Sequence, residues 1–485
     1  MYFFWALLYS FFAYLVFKYI QKFKNYGPNA LKGPFPLPLV GNLHQIGSTP
    51  HKSLTKLHDT YGPIYRVWMG DRYSVIVNDI QLMREMIVTN NDTFLNRPKS
   101  PSLKYYSGNY ISDVSSSSDE VWKRHRDIAA AALTKTKMKH IYTLLDQQVD
   151  DLLTSMSIVE KSGQAFEPRR YSQRFTMNTM LKYIFNKHIS YDEDVNSGLM
   201  KEIIEPSDAI FQELGTGALG DFIDIFKPFT AMYLNLFDKN APALINFAIR
   251  EYKEHLETYT EEHKATPRDF MDVLITEFSD DPDKVDKIAY MSIDVLLAAT
   301  DTTATSIEWA FLYLANYPEM QEKAAQELVS VAGKDRNLSL ADRQSTPFTN
   351  ALIKEIARHK VIGPFGLIRH CSADIEIGGH FIPKDSQVLF NYMSIGANPK
   401  YWENPSEFNP SRFLGPNPQD FPMFSLGPRS CVGKSLALDE LFLGIGNVIK
   451  KFKVSSTDGK PISDADIFGL TIRPTKFYVT LKERN

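Results

Sequence analysis

The chain has 485 residues, 44% of them hydrophobic and 23% charged, with a net charge of −3. That balance belongs to an ordinary globular protein and excludes a disordered chain, a collagen and a protein that binds nucleic acid through bulk positive charge. Two cysteines, Cys371 and Cys431, allow one bridge at most, which excludes a disulfide framework and a four-cysteine zinc site.

Residues 1–17 carry no charge. As a helix rising ~1.5 Å per residue they cover most of the ~30 Å hydrocarbon layer of a bilayer, and residues 18–20 complete the span. Lys18 is expected to snorkel, and Lys22, Lys24 and Lys32 follow the apolar run. Residues 1–20 therefore read as a transmembrane anchor that leaves the rest of the chain in the cytosol. A cleaved signal peptide is the rival, but no basic residue precedes the run and no A-x-A-like site follows it. The sequons Asn91-Asp-Thr and Asn337-Leu-Ser would then stay bare. Residues 21–42 read as a basic, proline-rich hinge, because Pro34, Pro36 and Pro38 preclude a helix and favour a stiff extended linker. No repeat or second linker of that kind follows, so residues 43–485 read as one body.

Within the body, Gly62 to Val77 and Ile375 to Val388 have short apolar runs punctuated by Gly and Pro, the pattern of hairpin strands. Most of the remainder has helical spacing. The spacing predicts a helix from about Lys284 to Asn316, stopped by Pro318 and long enough to cross the whole body. The fold class is mainly α with a minor β portion. Gly215-Thr-Gly217-Ala-Leu-Gly220 fits G-x-G-x-x-G but lacks a preceding strand, so its glycines read as loop residues. Gly427 to Ser435 resembles a phosphate-binding loop with one residue too many between its glycines.

Gly427-Pro-Arg429-Ser-Cys431-Val-Gly433 breaks the chain just before an amphipathic helix from about Val432, with Leu436, Leu441 and Ile445 as its inner face. Cys431 then lies at a helix amino terminus, where free N–H groups and the charge of Arg429 favour a thiolate. Gly433 admits a bulky flat partner, and Phe424 can pack near the sulfur. Such a thiolate suits an axial haem ligand; a buried apolar thiol is the alternative.

From Phe424 to Gly433 the chain carries F-x-x-G-x-R-x-C-x-G with all five fixed positions filled. Here the sequence resembles the cytochrome P450 family. Glu355-Ile-Ala-Arg358 is similar to the family's E-x-x-R, Phe408-Asn-Pro410-Ser-Arg412-Phe413 to the element completing it, and Trp122-Lys-Arg-His-Arg126 to its W-x-x-x-R. Ala298-Ala-Thr-Asp301-Thr302-Thr303 is similar to the oxygen-activation motif, except that Ala299 stands where glycine is common and its methyl narrows the oxygen groove.

The resemblance implies a P450 fold behind the anchor and haem b held by the Cys431 thiolate. It implies propionate contacts from Trp122, Arg126, Arg369 and Arg429, with Phe424 beside the sulfur. Asp301 and Thr302 would relay protons to bound oxygen. Glu355, Arg358 and Arg412 would form a buried structural network. Ser118 or Asp119 is expected to cap the Trp122 helix. The implied activity is monooxygenation of an apolar small molecule in the endoplasmic reticulum membrane, with electrons from NADPH through a flavoprotein reductase. Lys123, Arg124 and Lys434 would receive that reductase. Two other readings stay open: a haem-thiolate isomerase or dehydratase, which the Asp301-Thr302 pair argues against, and a membrane haem sensor without turnover. Pocket segments are expected at Asn96 to Ser118, Ile210 to Phe229 and Ile362 to Ile368, with Phe365 exposed.

Overall fold

An apolar helix, α1 (Tyr2–Gln21), comes first in the structure, a computed structural model describing residues 2–24, 26–110, 113–133, 139–191, 193–415 and 420–484. Its rings at Tyr2, Phe3, Phe4, Tyr9 and Phe12 stand exposed, and its length and composition suffice to cross a membrane. Two sequence expectations change at its end. Lys18 does not snorkel: its Nζ pairs with the Asp224 carboxylate at 2.8 Å. Lys22 is buried and donates to the Gly70 carbonyl at 2.7 Å. Nor is the proline-rich stretch a free hinge. The Arg66 N–H donates to the Lys32 carbonyl at 2.8 Å, and Ala30 bridges to Phe381. Extended backbone offers unpaired polar groups, and the body takes them up.

Eleven further helices longer than ten residues follow among the described residues: α2 (Pro50–Tyr61), α3 (Asp119–Ala132), α4 (Lys139–Ser162), α5 (Pro168–Phe185), α6 (Gly198–Thr216), α7 (Lys227–Phe237), α8 (Asn240–Thr258), α9 (Lys284–Asn316), α10 (Pro318–Ala332), α11 (Pro347–His359) and α12 (Lys434–Lys451). The long helix α9 has the predicted bounds. It packs along α5 and α8 and against α12, and Trp309, Leu312 and Leu314 carry it through the main core. Burying such side chains contributes roughly 1.5–3 kcal/mol each, which outweighs the poor helix propensity of its central threonines.

The β portion is small and lies beside the helices. A four-stranded sheet has the order β1 (Ile64–Met69), β2 (Arg72–Val77), β6 (Gln387–Phe390), β3 (Arg369–His370). The β1–β2 pairing is the antiparallel hairpin expected, with Ile64 opposite Val77, whereas β2 runs parallel to β6. Between them in sequence, β4 (Ile375–Ile377) and β5 (His380–Ile382) form a separate hairpin. Near the carboxyl terminus β7 (Phe452–Ser456) pairs with β10 (Val479–Glu483), and β8 (Asp466–Ile467) with β9 (Arg473–Pro474). The turn joining β8 to β9 reaches back to α9 and α6.

Candidate active site around Cys431

A cavity of about 650 Å³ lies between α9 and the loop that precedes α12. Its walls are mostly apolar, from Ile210 and Phe211 on α6, Val295 and Ala299 on α9, and Phe365 and Ile368 beyond α11. All three expected pocket segments contribute, although Ile111 and Ser112 of the first lie outside the described residues. Phe365 is not exposed as the sequence suggested; it is buried in the wall.

Cys431 faces this space. The loop that presents it is tied down at both ends. The Cys431 N–H donates to the Phe424 carbonyl at 2.9 Å, and Gly427 has φ of +70° where a Cβ would lie 2.0 Å from the Ile87 carbonyl oxygen. Only glycine meets both demands there. A Cβ at Gly433 would meet nothing nearer than the Cys431 sulfur at 3.9 Å, which leaves open space beside the sulfur. Cys431 is accessible and is one of the residues lining the cavity. Burial pushes the Cys431 thiol up, against the Gly433 N–H, Arg126 and Lys434, which pull it down. The N–H at the helix start favours the thiolate as expected, but burial outweighs it, and the charges that help it are Arg126 and Lys434 in place of Arg429. A bound cation at the sulfur would supply what the chain lacks.

Arg429 is turned the other way. Its Nε donates to the Leu95 carbonyl at 2.9 Å and an Nη to the Ser117 carbonyl at 2.7 Å, with the guanidinium 3.9 Å from the centre of the Trp122 ring. Arg369, on β3, is buried nearby. A third guanidinium, Arg97, joins them, its Nη1 donating to the Leu367 carbonyl at 2.7 Å and its Nε to the Ser115 carbonyl at 2.9 Å. Among the described residues none of the three forms an ion pair with a carboxylate. Burial and mutual repulsion hold Arg97 well below the usual arginine range, while burial foremost brings Arg369 to about 10 and Arg429 to about 9. Asp113, whose charge acts on Arg97 and Arg429, accepts from the Ser116 and Ser117 N–H groups and is itself pushed up to about 7 by burial and by Asp294. Trp122 Nε1 is buried without a partner, and Arg126 donates to the Ser430 carbonyl at 2.8 Å. Ser118 precedes α3 but makes no side-chain cap; its hydroxyl accepts from the Arg97 N–H instead.

Of the pair expected on α9, Thr302 faces the cavity and its hydroxyl donates to the Ala298 carbonyl at 2.8 Å. Asp301 is buried and turned toward Arg169, at 3.2 Å. The third group expected from sequence stands apart from the lumen. Glu355 accepts from Arg358 Nε and Nη2, both at 2.7 Å, from Arg412 Nε at 3.0 Å and from the Asn409 N–H at 2.9 Å. Arg97 is the residue that sequence reading missed: Asn96-Arg97-Pro98 carries no motif, and only the fold brings it to Arg369.

The profile of the family described as Cytochrome P450 matches residues 31–481. The chain belongs to the cytochrome P450 family. Curated relatives in Dictyostelium discoideum agree over the full length. "Probable cytochrome P450 508A1" is 44% identical across 98% of each chain, and "Probable cytochrome P450 508A2" is 42% identical across 99% of each. A solved structure titled "Zebra fish cytochrome P450 another structure with Progesterone" superposes with a TM-score of 0.79 at 25% identity, covering 90% of this chain and all of that one. This protein is accordingly a P450 monooxygenase whose cofactor is haem with a thiolate ligand. The cavity fits that cofactor: it has one sulfur with open space beside it and four guanidiniums, of Arg97, Arg126, Arg369 and Arg429, suited to an anion, and the orphaned indole of Trp122 packs behind Arg429.

Proposed function

We propose that Cys431 is the axial ligand of haem b and that Arg97, Arg126, Arg369, Arg429 and Trp122 hold its propionates. The observation that carries this reading is the cluster of Arg97, Arg369 and Arg429 around the Cys431 cavity, none of them in an ion pair with a carboxylate among the described residues. Two propionates supply the missing charge, and charge-assisted bonds to guanidinium are the stronger kind. Held there, haem would supply the redox chemistry by which two electrons and two protons split O2, one oxygen atom going to the substrate and the other to water.

The residues of α9 serve the proton part of that balance. Thr302 donates its own proton to Ala298, which leaves its oxygen lone pairs toward the cavity, and Asp301 is the nearby acid that can supply protons from behind. The apolar wall keeps other water out and selects an apolar substrate of small-molecule size. Glu355, Arg358 and Arg412 have a structural role in the assigned network.

NADPH is the electron source in this reading, with a flavoprotein reductase docking on the exposed basic side chains of Lys123, Arg124 and Lys434. Arg124 is partly engaged by Asp281 at 3.8 Å. Residues 1–20 anchor the protein in the endoplasmic reticulum membrane, and residues 21–485 lie on the cytosolic side, as the lysines after the anchor favour. The exposed Phe229, Met232, Tyr233, Leu236 and Phe237 of α7 belong to the same membrane face.

The test is the reduced carbon monoxide difference spectrum of the purified full-length protein. The expected result is a Soret band of thiolate ligation that Cys431→Ala abolishes, together with NADPH oxidation that requires an added flavoprotein reductase. A thiolate-type band surviving in Cys431→Ala would reject the ligand assignment.

A further inference from the structure

Asp301 is the acid expected to feed protons to the cavity, yet its carboxylate is not among the groups lining it. It is held behind α9 by two partners. Its Oδ1 lies 3.2 Å from Arg169, and its Oδ2 accepts a hydrogen bond from the Thr471 hydroxyl at 2.6 Å. Arg169 leads outward. It pairs with Asp208 at 2.8 Å and with Glu308 at 3.1 Å, and Asp208 pairs in turn with Arg473 at 3.0 Å. The side chains of Asp208 and Arg473 are 24% and 26% exposed, against 9% for Asp301, so the cluster grades from solvent to interior. Thr471 leads inward, because it does line the cavity.

The turn that carries Thr471 is fixed on three sides. The Leu470 N–H donates to the Phe211 carbonyl of α6 at 2.8 Å, the Ile472 N–H to Ile362 at 2.7 Å, and Trp309 Nε1 to the Ile472 carbonyl at 2.9 Å. Gly215, first glycine of the unused G-x-G-x-x-G match, permits this contact. It is within α6 and not in a loop, and a Cβ there would lie 2.0 Å from the Gly469 carbonyl carbon and 2.2 Å from the Leu470 nitrogen.

We propose that Thr471 is a positioning residue for proton delivery: its hydroxyl holds Asp301 on the Arg169 side of α9 and connects that acid to the cavity. This rests on the proposed role of Asp301. The relay is balanced. Solvent reaching Asp301 from the Asp208 side protonates it directly. With Asp301 protonated the hydrogen bond reverses: the Thr471 hydroxyl turns its own proton to an acceptor in the cavity and takes the Asp301 proton on its oxygen, so Thr471 stays neutral and Asp301 returns to carboxylate. Arg169, always charged, orients the acid and carries no proton itself.

Thr471→Val and Thr471→Ser test it in the full-length holoenzyme with a flavoprotein reductase and no added substrate. Thr471→Val is expected to raise the ratio of hydrogen peroxide to water formed from O2 by roughly tenfold, a share of what a proton-transfer group contributes, and to enlarge the solvent deuterium isotope effect on NADPH oxidation. Thr471→Ser is expected to match the wild type in both. Amide hydrogen exchange at 468–472 should be the same in all three proteins, and the C–O stretch of the reduced carbon monoxide complex should shift only in Thr471→Val, as the freed carboxylate turns inward. Where Val lowers haem loading, Thr471→Ala makes the same comparison without added bulk. An unchanged peroxide ratio in the hydroxyl-free variant overturns the inference. Asp301→Asn separates the two levels. If it raises peroxide and Thr471→Val does not, only Thr471 is misassigned; if neither does, the reading of Asp301 fails as well.

Discussion

Two clusters of buried arginine in this P450 differ in what balances their charge. At Glu355 the chain supplies its own anion: one carboxylate takes four hydrogen bonds, from Arg358 twice, from Arg412 and from the Asn409 backbone. Arg358 spends its other N–H groups on carbonyls, Nη1 donating to Gly396 and Pro405 at 2.6 and 3.0 Å and Nη2 to Glu407 at 3.3 Å. At the cavity, Arg97 and Arg429 find only carbonyl oxygens, and each guanidinium depresses the protonation of the next. A closed network compensates its own buried charges within the fold. An open one raises the energy of the empty protein and returns that energy when an anion arrives. The first cluster is therefore read as scaffold and the second as binding site.

The largest effect is expected from opening the closed cluster. Glu355→Gln leaves two guanidiniums short of a counter-charge and should cost about 3–5 kcal/mol, measured by denaturant unfolding. The loss should be similar with and without haem, and a loss confined to the haem-bound form would erase the distinction between the clusters. The cavity cluster should respond with opposite signs. Arg97→Leu relieves repulsion in the haem-free protein, whose unfolding midpoint should hold or rise. It should speed haem transfer to a haem-scavenging protein about ten- to a hundredfold, the worth of ~1.5–3 kcal/mol in charged hydrogen bonds. A haem-free Arg97→Leu protein less stable than wild type would break the comparison.

The smallest effect concerns pH. Arg369 is brought down to about 10 in the folded protein from an ordinary 12.5, by burial first and by Arg126 among its neighbours. Below the folded value the charge is present in both states and opposes folding. Between the two values the unfolded chain binds the extra proton, so the Arg369 contribution must grow more favourable as pH rises through about 10. The difference in unfolding free energy between wild type and Arg369→Leu, both haem-free, should shrink over that range. Bound propionates should remove the trend, because they hold Arg369 charged.

The legible parts of the site were those whose partners are close in sequence or carried by a tight motif. Glu355 and Arg358 share one helix turn, and the Phe424–Gly433 loop is set by its own glycines and proline. Arg97 was invisible because its cluster is assembled from three distant segments, and a lone arginine before proline looks like any surface residue. The same holds for Asp301, whose motif gave its place on α9 but not its direction. That direction is set by Arg169, 132 residues earlier, and Thr471, 170 residues later. Lys18 failed differently: an apolar run predicts a lipid-facing lysine, but a nearby aspartate in the folded body competes successfully for the charge.

The latch between Lys18 and Asp224 has a mechanical consequence. Asp224 also pairs with Arg72 at 2.7 Å and Lys227 at 2.9 Å, and Lys22 is buried against the β1–β2 turn. Helix α1 is thus fastened to the same segment that leads into α7. A tethered helix meets a bilayer that is too thick or too thin by tilting, at a fraction of a kcal/mol per ångström. Were α1 to span a bilayer, tilting it would mean rotating the body with it or breaking the Lys18–Asp224 pair, a partly exposed contact worth roughly 0–1 kcal/mol.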